Sequence, residues 1–141
     1  MTNYTHITKE INKIIAFCMV KGVQPEELIT AIFEKEYTNI ETYKEDDLII
    51  LTLTFSDTDE NETSYITMKY IYNRKKELMS ISQKINSSNY KEQWNRKKIL
   101  EAMINELIIY LPKDNQVIGQ VKTLIPDDYK PIFSSYLKIA C

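Results

Sequence analysis

Between Asp47 and Ile85 the chain alternates apolar and polar residues in three runs parted by two polar clusters, and this pattern constrains the fold more than any other. Successive side chains of an extended strand point to opposite faces, so a period of two marks a strand buried on one side. In Asp47–Phe55 the residues Ile49, Leu51, Leu53 and Phe55 share one phase, and Thr52 and Thr54 take the other. Tyr65–Tyr72 repeats the pattern with Ile66, Met68, Tyr70 and Tyr72, and Leu78–Ile85 with Met79, Ile81 and Ile85. The clusters between them are built from turn-forming residues. A three-stranded antiparallel meander with one core face is expected. Its other face, bearing Thr52, Thr54, Thr67, Lys69, Ser80, Ser82 and Lys84, is expected to lie open to water or to a partner.

The flanks carry helical periods. Ile7, Ile11, Ile14, Ile15, Cys18 and Met19 predict an amphipathic helix over Thr8–Lys21, with Gly22 as a left-handed stop. A second helix is expected from Pro25, a residue suited to a first helical position, with Leu28, Ile29, Ile32 and Phe33 as its apolar face. Tyr37–Tyr43 has the Thr and Tyr of a strand but alternates weakly; it is an edge strand or a connector. After a capping cluster at Ser87–Asn89, the stripe Leu100, Met103, Ile104, Leu107 and Leu111 predicts a long helix over Tyr90–Leu111, stopped by Pro112. Two short helices best fit the remainder, one holding Val117, Ile118, Val121, Leu124 and Ile125, the other Ile132, Phe133, Tyr136 and Leu137; the last segment also fits a strand.

A chain of 141 residues is close to the commonest domain size. One α+β domain over residues 1–141 is expected: a meander of three or four strands covered on one face by the N-terminal and the long C-terminal helix. The chain has two glycines, so no Gly-rich phosphate loop is present. No apolar run approaches the roughly 18 residues that span a bilayer, and no signal-peptide pattern opens the sequence, so a cytoplasmic protein is expected. Cys18 and Cys141 read as one buried and one exposed thiol rather than as a disulfide framework.

Charge is segregated along the chain. Glu34–Glu62 holds ten acidic and two basic residues, and Lys69–Lys98 holds nine basic and two acidic. Asp57, Asp59, Glu60 and Glu62 fall in the first hairpin turn, and Arg74, Lys75 and Lys76 in the second. Successive meander turns lie at opposite ends of a sheet, so these clusters form a charge dipole able to steer a charged partner. Against this stands the plain fact that turns favour solvated charges. In the basic stretch Tyr70, Tyr72, Tyr90 and Trp94 accompany the cations, a composition that suits phosphates and stacked bases. Tyr70 and Tyr72 share the apolar phase of their strand, however, and read as core. Trp94, with Arg96, Lys97 and Lys98 beside it, fits a binding anchor or a core-edge residue.

Other chemistries find little support. Asp57-x-Asp59-x-Asn61 opens like a calcium loop, but Glu62 stands where the sharp-turn Gly belongs and Met68 where the bidentate Glu belongs. His6 is the chain's one His, too few ligands for zinc and without an evident nucleophilic partner. Neither metal nor cofactor is expected. The reading is a non-enzymatic module that binds a protein partner, such as an inhibitor, immunity or antagonist protein, through Asp57, Asp59, Glu60, Glu62, Arg74, Lys75, Lys76, Trp94, Arg96, Lys97 and Lys98. The alternatives are a nucleic-acid binder using residues 69–98 and a small enzyme whose site is assembled only by the fold. A homodimer is compatible with each.

Overall fold

The computed structural model describes the backbone of residues 2–140 and the side chains of residues 5–135. Cys141, and the side chains of Tyr136 and Leu137, lie outside that range. The chain separates into two compact units, one formed by residues 1–20 and 97–141 and the other by residues 21–96.

The second unit is a five-stranded antiparallel sheet in sequence order: β1 (Tyr37–Glu45), β2 (Leu48–Asp59), β3 (Glu62–Tyr72), β4 (Leu78–Ile85) and β5 (Lys91–Asn95). The three expected strands are present, and the count of three or four is corrected to five. Tyr37–Tyr43 is the edge strand β1. Lys91–Asn95, expected as the first turns of the long helix, is instead the opposite edge, β5, and the helix begins only at Arg96. Lys, Glu and Gln favour helix by intrinsic propensity, and one apolar residue in five gives no alternation to read. Pairing with β4 overrides that preference.

Register fixes the faces. Ile49, Leu51, Leu53 and Phe55 lie opposite Tyr72, Tyr70, Met68 and Ile66, so the expected apolar phase is one continuous face. Leu51, Leu53 and Tyr72 are buried on it. A register shift between Ile71 and Tyr72 sets Leu78 opposite Tyr72, so Leu78 joins this face and is buried, where Met79 had been expected. The second face is less open than its Thr and Ser content suggested. Ile50 and Thr67 are buried on it, and Thr52, Thr54, Lys69, Ser80, Ser82 and Lys84 are half-buried. The Thr54 and Thr67 hydroxyls hydrogen-bond across the strands at 3.0 Å.

A short segment enters the sheet unit from Gly22, whose φ of +89° only glycine adopts freely. The Tyr72 hydroxyl donates to the Val23 carbonyl at 2.6 Å, and Gln24 Nε2 donates to the Lys76 carbonyl at 3.0 Å, so this segment is tied to the β3–β4 end of the sheet. α2 (Pro25–Ile29) then passes into a 3₁₀ turn over Thr30–Phe33. That change of pitch breaks the expected stripe. Leu28 is half-buried, whereas Ile29 and Ile32 are exposed and Phe33 is 89% exposed.

In the other unit, α1 (Thr2–Met19), α3 (Arg96–Tyr110), α4 (Asn115–Leu124) and α5 (Lys130–Ala140) share one core. Ile7, Ile11 and Ile14 of α1 cluster with Leu100, Ile104 and Leu107 of α3, Val121 of α4, Ile125 at the end of α4, and Phe133 of α5, all buried. These are the periodic positions seen in the sequence. Cys18 is a half-buried thiol against this cluster. Asp114 caps α4, accepting from the Gln116 amide at 2.9 Å. The expected C-terminal pair of helices is present, and the strand alternative for the last segment is not.

Candidate functional site

The sheet's two ends differ in kind. At one, the β2–β3 hairpin outruns its neighbours. Pairing of β1 with β2 begins at Tyr37 and Phe55, and pairing of β3 with β4 ends at Ile66 and Ile85. Beyond them Ser56–Tyr65, Asp57–Ser64, Thr58–Thr63 and Asp59–Glu62 pair only with each other, a ribbon about 13 Å long at the usual rise per residue. Its base is anchored on both sides: the Ser56 amide donates to the Glu36 carbonyl at 2.9 Å, and the Tyr65 amide to Asn86 Oδ1 at 2.9 Å. The loop itself is Glu60–Asn61, with φ of +47° and +69°, the positive values that a two-residue type I′ connection requires.

Asp57, Asp59, Glu60 and Glu62 are all exposed on this ribbon. Asp59 lies directly opposite Glu62, and Asp57, two residues along, projects on the same face. Like charges directly opposite are destabilising in a sheet. Among the described residues none of these four carboxylates forms an ion pair. Repulsion within the ribbon is thus left uncompensated, and the tip is a concentrated, solvated negative surface.

The opposite end is mixed rather than basic. Hairpin parity brings the β1–β2 turn beside the β3–β4 turn, so Asp46 and Asp47 stand near Arg74, and Arg74 Nη1 is 3.7 Å from Asp47 Oδ1 with both side chains well exposed. A pair so solvated contributes little stability, but it offsets the positive pole. The β3–β4 turn is organised by Asn73, whose Oδ1 accepts from the Lys75 and Glu77 amides, each at 3.0 Å. Beside it lies a cavity of about 280 Å³ lined by Gln24, Pro25, Glu26, Ile49, Tyr72, Asn73, Arg74 and Lys76. Burial, with smaller contributions from Tyr70, Glu26 and Glu27, pushes the Tyr72 hydroxyl up to about 12. Sequence reasoning missed this pocket. A firm assignment of β1 as a strand was the signal that would have placed Asp46 and Asp47 at the same end as Arg74.

The remaining candidates scatter. Trp94 is half-buried on β5 opposite Ile81, on the apolar face, with the Arg96 guanidinium 5.6 Å from its ring centroid. Arg96 is 2% exposed and donates from Nε to the Leu78 carbonyl at 2.7 Å, so its guanidinium is held inside the sheet unit at the start of β4. Lys97 and Lys98 are exposed on α3, and Lys97 reaches Glu101 at 4.0 Å. On the sheet's second face Tyr90 lies under two cations, Lys69 Nζ at 4.6 Å and Lys84 Nζ at 5.0 Å from its ring centroid. Burial, and then the nearby Glu41, raise the Tyr90 hydroxyl above the ordinary tyrosine value.

Among the described residues no three His, Cys, Asp or Glu side chains gather as metal ligands, and no helix is long and apolar enough to cross a membrane. No family model, curated protein or solved structure matches this chain.

Proposed function

We propose that this protein is a non-enzymatic module that binds a protein partner, of the inhibitor, immunity or antagonist kind, and that the acidic β2–β3 ribbon is its principal contact. The observation that carries this reading is the placing of Asp57, Asp59 and Glu62 on one face of a ribbon that stands clear of the sheet, with Asp59 directly opposite Glu62. Folding alone gains nothing from that arrangement, whereas a Lys- or Arg-rich protein surface would relieve the repulsion on contact. Such a surface is the partner chemistry the ribbon fits.

The nucleic-acid alternative draws on residues 69–98, where Lys69 and Lys84 are the cations set beside an aromatic ring, that of Tyr90. Those cations are turned onto the Tyr90 ring, which occupies a face that a base would otherwise stack on. The ribbon that projects from the sheet, moreover, carries four exposed carboxylates, which repel phosphate. The protein reading therefore ranks first.

The test is affinity capture from nuclease-treated extract of the source cells, with the native chain and a variant carrying Asp57→Lys, Asp59→Lys, Glu60→Lys and Glu62→Lys as paired baits. A protein retained by the native bait at low salt and lost from the variant is expected. Equal retention on both baits, or retention of nucleic acid alone when nuclease is omitted, would contradict the proposal.

A further inference from the structure

The cavity beside the β3–β4 turn lies at the end of the sheet away from the acidic ribbon, and its walls are tied to one another. Gln24 Nε2 donates to the Gly22 and Lys76 carbonyls, each at 3.0 Å, which fastens the entry segment to the turn. The Gln24 amide donates to Glu27 Oε2 at 2.8 Å, and the Tyr72 hydroxyl to the Val23 carbonyl at 2.6 Å. Asn73 holds the turn from within through the Lys75 and Glu77 amides. A cavity framed in this way needs little reorganisation to accept a ligand.

The lining divides by chemistry. Buried Tyr72 and half-buried Ile49 and Pro25 supply an apolar surface. Three charged residues stand around it, Arg74, Lys76 and Glu26, all exposed. Both signs line one cavity, yet they do not pair with each other. Among the described residues Glu26 and Lys76 form no ion pair, and Arg74 pairs with the well-exposed Asp47 at 3.7 Å. A contact so solvated is exchanged for a ligand at little cost. The Glu26 charge is felt within the cavity, since after burial and Tyr70 it is among the causes that raise the Tyr72 hydroxyl. At about 30 Å³ for each water in the liquid, a cavity of about 280 Å³ has room for roughly nine waters, or for a ligand of roughly nine to twelve non-hydrogen atoms. Drug-sized ligands take larger sites.

We propose that this cavity binds a free α-amino acid with an apolar side chain, its carboxylate held by Arg74 and Lys76, its ammonium by Glu26, and its side chain laid on Ile49 and Tyr72. A plain carboxylate would meet Glu26 as a like charge, and a plain amine would meet two cations. The zwitterion satisfies both signs, and that difference is what selects it. The guanidinium fork of Arg74 suits a carboxylate through two N–H groups and so sets the ligand's orientation. Leucine is of the size that the cavity admits.

Amide NMR of the full chain, titrated with L-leucine to about 20 mM, covers the weak binding expected of so small a ligand. Saturable shifts are expected at residues 24, 26, 49 and 72–76. Two analogues dissect the charges: 4-methylpentanoate lacks the ammonium and 3-methylbutylamine the carboxylate, and each is expected to bind roughly tenfold more weakly or worse. Two variants tie the effect to named side chains. Lys76 has φ +66°, a conformation that glycine adopts freely, so Lys76→Gly removes the ammonium and keeps the turn; it is expected to weaken leucine binding roughly tenfold. Glu26→Gln is expected to weaken leucine binding while strengthening that of 4-methylpentanoate, an inversion that loss of folding does not produce. No saturable shift with L-leucine, shifts centred elsewhere, either analogue binding as tightly as leucine, or leucine affinity unchanged in either variant would each overturn the proposal. The acidic ribbon enters none of these measurements, so the two proposals stand or fall separately.

Discussion

Replacing Gly22 by Ala strikes the sheet unit where its entry segment meets β4, and both components of the cost can be read from geometry. Gly22 has φ +89°, where an L-residue is strained by about 1–2 kcal/mol. An added Cβ would stand 2.8 Å from Leu78 Cβ and 3.2 Å from its Cδ2. Relief by movement of Leu78 is blocked on both sides of the residue, because its amide donates to the Lys21 carbonyl at 2.8 Å and its carbonyl accepts from the buried Arg96 at 2.7 Å. Overpacking of a fixed core residue costs about 1–3 kcal/mol, so the total is about 2–5 kcal/mol. Trp94 is the chain's one Trp and lies in this same unit, so its fluorescence reports sheet unfolding. With a urea slope of about 2 kcal/mol/M, the midpoint should fall by roughly 1–2.5 M. A change in stability below about 0.5 kcal/mol, the range of an indifferent surface substitution, would refute the reasoning.

Two further outcomes follow from the sheet. Glu60→Asn with Asn61→Gly supplies the residues that a type I′ turn prefers at two positive-φ positions, and should raise stability by about 1 kcal/mol in the same urea experiment; no gain would mean that the loop is not of that type. Tyr72 holds its proton more tightly when folded, so the stability it contributes is complete below the unfolded tyrosine value near 10 and is lost as pH climbs through about 12. Denaturation midpoints measured from pH 9 to 12 should fall less steeply for Tyr72→Phe than for the native chain, and equal slopes would show that Tyr72 is not the group responsible.

The strand phases of β2 and β3 and the apolar stripes of α1 and α3 were legible because burial on one side writes its period directly into the sequence. Leu51, Leu53 and Tyr72 are buried as their phase requires, and so are Ile14, Leu100 and Ile104. What escaped was decided elsewhere in the chain. β5 exists because β4 offers it an edge, and nothing within Lys91–Asn95 announces that. The bulge that exchanges Met79 for Leu78 is a property of pairing with β3, and the burial of Ile50 and Thr67 reflects their place on a central strand. For the candidate site, the acidic turn was visible as composition. That it stands beyond the sheet required the lengths of β1 and β4, and the tempering of Arg74 by Asp47 required the position of the β1–β2 turn.

The most direct test of the ribbon's role is the association rate of a captured partner with the native chain and with the variant bearing Lys at 57, 59, 60 and 62, measured from low to high salt. Exposed charges act mainly on the encounter and are screened within about 8 Å at physiological ionic strength. The account predicts a native rate that falls as salt rises and a variant rate that is lower at low salt, the two converging at high salt, with unfolding of the variant unchanged. Equal rates at low salt would contradict it and leave the four carboxylates as solvated turn residues.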